Sequence, residues 1–348
     1  MSFVGVEMTV LSMGDAPTVA FFPHQAHCYA FGGFEIQMLD AAEAARRAGV
    51  NVIQQNWWDR SRAAPIVHHW GMGYPHIDNL RWAKASGQKI VMTVLTSYYS
   101  TALSRLRGYA SGLLAEGKIV REGLRLADYV VVVNELQAKV LVDFYGIEAK
   151  QVAIIPNIVP DYFFEDRSQP SRSAEPAYWL IAGNVCHRKN QIGAAEAALK
   201  AQIPLVVVGA AIPGEEGYAD RLRALISSSK WVVWKPEMRR DSPEYRRLLQ
   251  DARGLVLPSR NEQQPIIALE MAALGKPIIL GDRAYGRQAI YGGACLVDTE
   301  SSDAIACALR RVTANHELGR LKSAIHTARS TAVGEAYRQL YQSCLYNC

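Results

Sequence analysis

Val256-Leu257-Pro258-Ser259-Arg260-Asn261-Glu262-Gln263-Gln264-Pro265-Ile266-Ile267-Ala268-Leu269-Glu270 reads as a buried strand, a polar loop and a helix. Proline is pre-organised for the first helical position, where its missing N–H costs nothing. The helix is therefore expected to open at Pro265, with Glu262 in the loop and Glu270 about one turn inside. The two acids bracket a helix N-terminus. Such an end offers unpaired backbone N–H groups, that of Ile266 among them, and a partial positive charge suited to phosphate. A carboxylate deeper in the helix can accept hydrogen bonds from sugar hydroxyls. The pattern fits a sugar nucleotide, but the spacing alone fits a solvated acidic helix at least as well. The rest of the chain has to decide.

The chain has 348 residues, of which 49% are hydrophobic and 20% charged, the composition of a protein with about two domains and substantial cores. The first fifteen residues lack the basic start and long apolar core of a secretory signal. Apolar runs such as Tyr129 to Val133 are too short to cross a bilayer. A cytoplasmic protein is expected, with peripheral placement at the inner face of the membrane left open. The cysteines Cys28, Cys186, Cys295, Cys307, Cys344 and Cys348 form no Cys-x-x-Cys pair, which argues for reduced thiols rather than a disulfide framework or structural zinc.

The net charge of +5 is spread along the chain, so nucleic-acid binding is not expected. Arg105, Arg107, Lys118, Arg121 and Arg125 outnumber Glu116 and Glu122 in one stretch. That bias suits anionic lipid head groups or a phosphate-bearing acceptor, although a solvated helix face explains it more simply.

Strand-like and helix-like runs alternate from Thr18 onward. Extended runs fall at Thr18–Phe22, Asn51–Gln54, Ile66–His68, Lys89–Leu95, Tyr129–Val133 and Val152–Ile155. Helical ones fall at Phe34–Ala48, Asp78–Ser86, Leu114–Ala127 and Glu135–Phe144. A polar, proline-bearing stretch without periodicity, Glu165 to Ala177, reads as a linker. Alternation then restarts, with strands at Trp179–Ala182, Leu205–Val208, Trp231–Trp234, Gly254–Leu257, Pro277–Leu280 and Ala294–Val297. Its helices are expected at Gln191–Ala201, Ala219–Ser227, Pro243–Ala252, Ile266–Leu274 and Asp303–Thr313. Two doubly wound α/β halves with parallel sheets follow. Ligands bind outside the carboxyl ends of such strands, and two facing sheets would line one interdomain cleft.

The run around Glu262 and Glu270 resembles the E-x7-E signature of the retaining glycosyltransferases of family 4, part of glycosyl transferases group 1. Gly32-Gly33-Phe34-Glu35 is similar to that family's glycine turn. Ala127 to Asn134 and Ile155-Pro156-Asn157 resemble the segments that close its first domain. Gly183-Asn184-Val185-Cys186-His187-Arg188-Lys189-Asn190 occupies the place of its phosphate-binding stretch, and Gly275-Lys276-Pro277 follows the second acid as it does there. The resemblance spans Thr18 to the C-terminus, where Ala336 to Tyr341 resembles the family's last helix. It implies the GT-B fold: two facing Rossmann-like doubly wound parallel-sheet domains with an interdomain cleft. The implied parts are an acceptor-binding domain (1–170), a nucleotide-sugar-binding domain (171–330) and a C-terminal helix returning to the first (331–348).

The activity implied is metal-independent, retaining transfer of a hexose from a nucleoside diphosphate donor to a saccharide or lipid-linked saccharide acceptor, with no cofactor. Loose similarity of Val67-His68-His69-Trp70-Gly71 and of Ala83 to Val91 to bacterial transferases suggests surface polysaccharide or lipopolysaccharide synthesis. By the same resemblance Lys189 meets the donor phosphates, Glu262 the transferred sugar, Glu270 the ribose, and Lys235 and Pro236 the base. Gly32 and Gly33 would bring backbone to the phosphate, and Pro265 and Ile266 open the phosphate-facing helix.

The chain departs from the family in two places. Asn184 stands where an arginine is usual, which leaves Arg188 or His187 to compensate. Thr93 to Tyr98 lacks a usual histidine after Leu95, which leaves His24, His69 or Tyr98 as substitutes, His24 being the catalytic candidate. His24, His27, His68 and His69 fall near predicted strand ends, where they could face the cleft. His24-x-x-His27 lacks a third metal ligand and reads as structural. The simpler explanations of these features are an exposed basic loop at His187 to Lys189 and a tight turn at Gly32-Gly33. A non-catalytic GT-B protein binding a sugar nucleotide or a partner, a sugar-nucleotide 2-epimerase, and a nicotinamide dehydrogenase are the rival functions. The last lacks its Gly-x-Gly-x-x-Gly pattern.

Overall fold

The computed structural model describes residues 16–29, 32–59, 64–72, 76–96, 114–165, 178–315, 317–322 and 325–346. The linker beyond Glu165, Tyr98, Arg105, Arg107, Cys348 and the first fifteen residues lie outside them. The chain divides into two compact units, Met1–Ile158 with Ser330–Cys348, and Val159–Arg329.

The first unit carries strands β1 (Thr18–Pro23), β2 (Asn51–Gln54), β3 (Ile66–Trp70), β4 (Lys89–Thr93), β5 (Tyr129–Val132) and β6 (Val152–Ile154). They form one sheet in the order β2-β1-β3-β4-β5-β6, every neighbouring pair parallel. The central strands β3 and β4 are buried on both faces almost throughout, as a sheet covered by helices on each side requires. Its helices are α1 (Gly33–Arg47), α2 (Ile77–Ala85), α3 (Ala115–Leu126) and α4 (Glu135–Val140). Because strand side chains alternate, Ile66, His68 and Trp70 face one layer and Val67 and His69 the other.

Two expectations for this unit change. The helix expected over Glu135–Phe144 keeps α-geometry only to Val140, then loosens into a π-turn over Leu141–Tyr145 that ends on Gly146 in the left-handed region. The strand expected to reach Leu95 ends at Thr93.

The second unit repeats the plan with β7 (Tyr178–Ala182), β8 (Leu205–Val208), β9 (Val232–Lys235), β10 (Ala252–Leu257), β11 (Ile278–Gly281) and β12 (Cys295–Val297), in the order β12-β11-β10-β7-β8-β9. Its helices are α5 (Asp161–Glu165), α6 (Gln191–Ala201), α7 (Glu216–Ile226), α8 (Pro243–Asp251), α9 (Ile266–Ala273) and α10 (Ser302–Ala314). The last helix, α11 (Ser330–Tyr346), packs on α1 of the first unit through Val333, Tyr337, Leu340, Tyr341 and Cys344.

Candidate functional site

In a doubly wound sheet the ligand crevice lies where strand order reverses, outside the carboxyl ends of the two strands at that point. In the second unit those strands are β7 and β10. The loops after them are Gly183–Asn190 and Pro258–Pro265, which hold most of the residues singled out above.

Hydrogen bonds stitch the two loops together. The N–H of Arg260 donates to the carbonyl of Arg188 at 2.8 Å, and the Arg260 Nη1 to that of His187 at 2.8 Å. Arg188 Nη1 reaches the carbonyl of Asn261 at 2.8 Å, and Asn190 Nδ2 that of Pro258 at 3.3 Å. Glu262 lies buried inside this junction, 8% exposed. Lys189 Nζ is 2.7 Å from its Oε1 and Arg188 Nη1 2.8 Å from its Oε2. Burial alone would raise the Glu262 pKa, but Lys189 and Arg188 overcome it and hold the carboxyl below its usual range.

The lysine reaches this position because Gly183 has no side chain. With φ at +129°, Gly183 leaves room where a Cβ would stand 3.2 Å from Lys189 Cε. Asn184 is exposed, and Gln191 Nε2 donates to its carbonyl at 2.9 Å. Arg188, rather than a residue at 184, supplies the second cation beside Glu262.

Pro265 differs from expectation. It is the residue before the helix, with φ −66° and ψ 118°, and α9 begins at Ile266. The carbonyl of Pro265 starts the helical ladder and also accepts the Tyr291 hydroxyl at 3.3 Å. Among the described residues, the N–H groups of Ile266 and Ile267 have no backbone or side-chain acceptor, so the helix start presents two donors.

Glu270 is fully buried within α9. Its Oε2 accepts the Tyr245 hydroxyl at 2.7 Å, and its Oε1 pairs with Arg240 Nε. The residue assigned to ribose by resemblance is thus already engaged by two protein groups, and neither was anticipated from sequence. Tyr245 sits in α8 and Arg240 just before it, so only the tertiary fold brings them to α9.

Lys235 and Pro236 edge an open pocket of about 540 Å³ at the ends of β8 and β9, shared with Gly209, Arg223, Trp234 and Glu237. Trp234 Nε1 donates to the Gly209 carbonyl at 2.9 Å, and the Arg223 guanidinium stacks 4.9 Å above its ring.

The remaining candidates lie in the first unit. Gly32 precedes α1 and its N–H donates to Glu35 Oε2 at 2.8 Å, while Gly33 is exposed. His24 Nε2 lies 3.5 Å from Glu35 Oε1. His68 does not face a ligand crevice: it is buried against α11, with Nδ1 2.7 Å from the Tyr341 hydroxyl and Nε2 2.7 Å from Thr93 Oγ1. Among the described residues, no group of three or more His, Cys, Asp or Glu is placed to hold a metal ion. No helix there is long and apolar enough to cross a membrane.

This architecture is the GT-B fold. The structure superposes on that of a glycosyltransferase from Rickettsia africae with a TM-score of 0.68, at 14% identity, over 97% of this chain and 100% of that one. It superposes on an Anabaena protein crystallised in complex with UDP-glucose with a TM-score of 0.61, at 13% identity, over 94% and 96%. Residues 178–315, most of the second unit, match the family described as glycosyl transferases group 1. In sequence the chain is 26% identical over 269 residues to D-inositol 3-phosphate glycosyltransferase of Acidothermus cellulolyticus. That match takes in 68% of this chain and 54% of the relative, so the chain spans about half the length of the curated relative it matches.

Proposed function

We propose that the protein is a retaining glycosyltransferase that moves a hexose from a nucleoside diphosphate donor to a hydroxyl of a saccharide or lipid-linked saccharide, in the building of a bacterial surface polysaccharide or lipopolysaccharide. The second unit takes the donor and the first the acceptor. The observation that carries this reading is the junction at the β7/β10 reversal, where Lys189 and Arg188 pair with Glu262 in the loop that leads into the start of α9. A diphosphate placed there meets two cations and a helix N-terminus.

In the reaction, the bond between the anomeric carbon and the diphosphate oxygen breaks as the acceptor oxygen bonds to the same face of that carbon. The departing phosphate oxygen takes the acceptor's proton. Negative charge grows on the diphosphate, and Lys189 and the helix start are positioned to stabilise it more strongly in the transition state than in the ground state. Glu262, kept ionised by its two partners, orients them and accepts a hydroxyl of the transferred sugar. The pocket beside Lys235 and Pro236 takes the base. No metal is needed to neutralise the leaving group when these cations do so.

A second reading, a GT-B protein that binds a sugar nucleotide without transferring it, draws support from the exposed Asn184 and from Glu270 being already paired. A thermal-shift screen with UDP-, GDP-, ADP- and dTDP-sugars separates the possibilities. Stabilisation by one nucleotide series, abolished in Lys189→Ala, supports the donor site. Release of free sugar or its transfer to a saccharide then distinguishes enzyme from binder. No shift with any of them at millimolar concentration rejects both readings.

A further inference from the structure

A second cavity in the second unit is lined by neither Lys189 nor Glu262, and by none of the residues around Lys235. It encloses about 230 Å³ between α6, α7 and the loop after β12, and its walls include Glu196, Tyr218, Arg221, Arg260 and Glu300. Two of its charges are settled within the protein, since the Arg260 guanidinium pairs with Glu300 at 3.0 Å. Two are not. Among the described residues Arg221 has no carboxylate partner, and its guanidinium lies 5.7 Å from the centre of the Tyr218 ring. Glu196, half-buried on α6, has no hydrogen-bond or ion-pair partner among them either. Lys200, one turn further along α6, is held instead by Asp303 at 2.8 Å.

Tyr218 adds a donor. The residue is 6% exposed, and its hydroxyl oxygen accepts the N–H of Ile192 at 3.0 Å. Burial pushes its pKa up, so the hydroxyl keeps its proton, and that proton has no acceptor among the described residues. Buried polar groups with bonding capacity left over are uncommon in folded proteins. Charge then selects the occupant. An anion alone would meet Arg221 and Tyr218 but face Glu196, and a cation alone would meet Glu196 but face Arg221. A molecule carrying both signs satisfies both ends. Pockets for drug-sized ligands run to about 300–1,000 Å³, so this one takes something smaller.

We propose that this cavity binds a small zwitterion and that its occupancy alters the affinity of the donor site. The carboxylate or phosphate ester of the zwitterion lies against Arg221 and the Tyr218 hydroxyl, and its ammonium against Glu196. The route to the donor junction is short. Arg260 and His187 line the cavity, and Arg260 also donates from its N–H to the Arg188 carbonyl and from Nη1 to that of His187, both at 2.8 Å. Arg188 and Lys189 in turn pair with Glu262. The coupling rests on the donor reading above; the cavity itself does not.

Calorimetric titration of the full chain with O-phosphoethanolamine and with L-serine tests the cavity, beside inorganic phosphate, acetate and methylammonium as the separate halves. At least one zwitterion should bind about tenfold or more tighter than either of its halves. Which one binds tells a phosphate ester from a carboxylate at the anionic end. Arg221→Met and Glu196→Gln should each lower that affinity about tenfold. Both variants should melt as the wild type does, since neither side chain has an ion-pair partner in the fold. Nucleoside diphosphate affinity should be unchanged in both variants without zwitterion, and in the wild type should shift about fivefold or more once the cavity is saturated. Phosphate or acetate alone matching its zwitterion, binding indifferent to either substitution, or no binding of either zwitterion at tens of millimolar overturns the proposal. An unshifted nucleotide affinity overturns the coupling. Zwitterion binding by a protein that takes no nucleotide keeps the cavity and rejects the donor site together with the coupling.

Discussion

Arg240 and Tyr245 hold the two oxygens of Glu270 at the heart of the second unit, and their removal is not symmetrical. Arg240→Met leaves a buried carboxylate with one hydroxyl partner and should cost about 3–5 kcal/mol in urea denaturation. Tyr245→Phe removes one hydrogen bond and should cost about 1–3 kcal/mol. Equal small losses would mean that Glu270 is hydrated rather than buried. Lys189→Met removes a charge-assisted contact worth about 1.5–3 kcal/mol, and nucleotide-sugar affinity should fall about ten- to a hundredfold by calorimetry. Glu262 carries a pH signature because its folded pKa lies below the ordinary one. Its stabilising contribution is complete above the unfolded value of about 4.3 and is lost as pH falls through the lowered folded value. The stability gap between wild type and Glu262→Gln should therefore narrow between pH 6 and pH 3; a gap independent of pH contradicts the ion-pair account.

Among the elements, α11 has the largest structural task. Tyr341 within it hydrogen-bonds His68 of β3, and His68 in turn reaches Thr93 of β4, so one buried chain of polar atoms joins a helix to two central strands. Tyr341→Phe should destabilise the first unit by about 1–3 kcal/mol, read as a lowered urea midpoint with an unchanged slope. The strands and most helices were legible beforehand because buried parallel strands are short apolar runs and helices repeat every three to four residues. Pro243 and Pro265 marked helix starts to within one residue. The π-turn after Val140 was not legible, since Leu141 to Tyr145 continues the apolar spacing of the helix before it. Nor was α5, five residues in which two phenylalanines mask any periodicity. At the site, Lys189 and Glu262 could be named from loop grammar and family likeness. Arg240 and Tyr245 could not, because thirty and twenty-five residues separate them from Glu270 and only the sheet order closes that distance. The side taken by His68 was not legible because Ile66–Trp70 is buried on both faces and puts one histidine on each, so no polar–apolar alternation reveals which side is which.

Over the whole chain, two separate cores imply two cooperative transitions rather than one. A nucleotide that binds only the second unit should raise that unit's transition alone, by about 2.7 kcal/mol at a hundred times its dissociation constant. Calorimetry that shows a single transition moving as one would mean the units unfold together. The order of the chain has a further consequence. The first strand of the first unit begins at Thr18, yet the helix that covers its α1 face, Ser330–Tyr346, is made only after the entire second unit. During synthesis on the ribosome the earlier half must wait, its apolar flank uncovered, while the later half has everything it needs to close. A premature stop or proteolytic clip near residue 329 would therefore injure the part of the protein made first and spare the part made next to it.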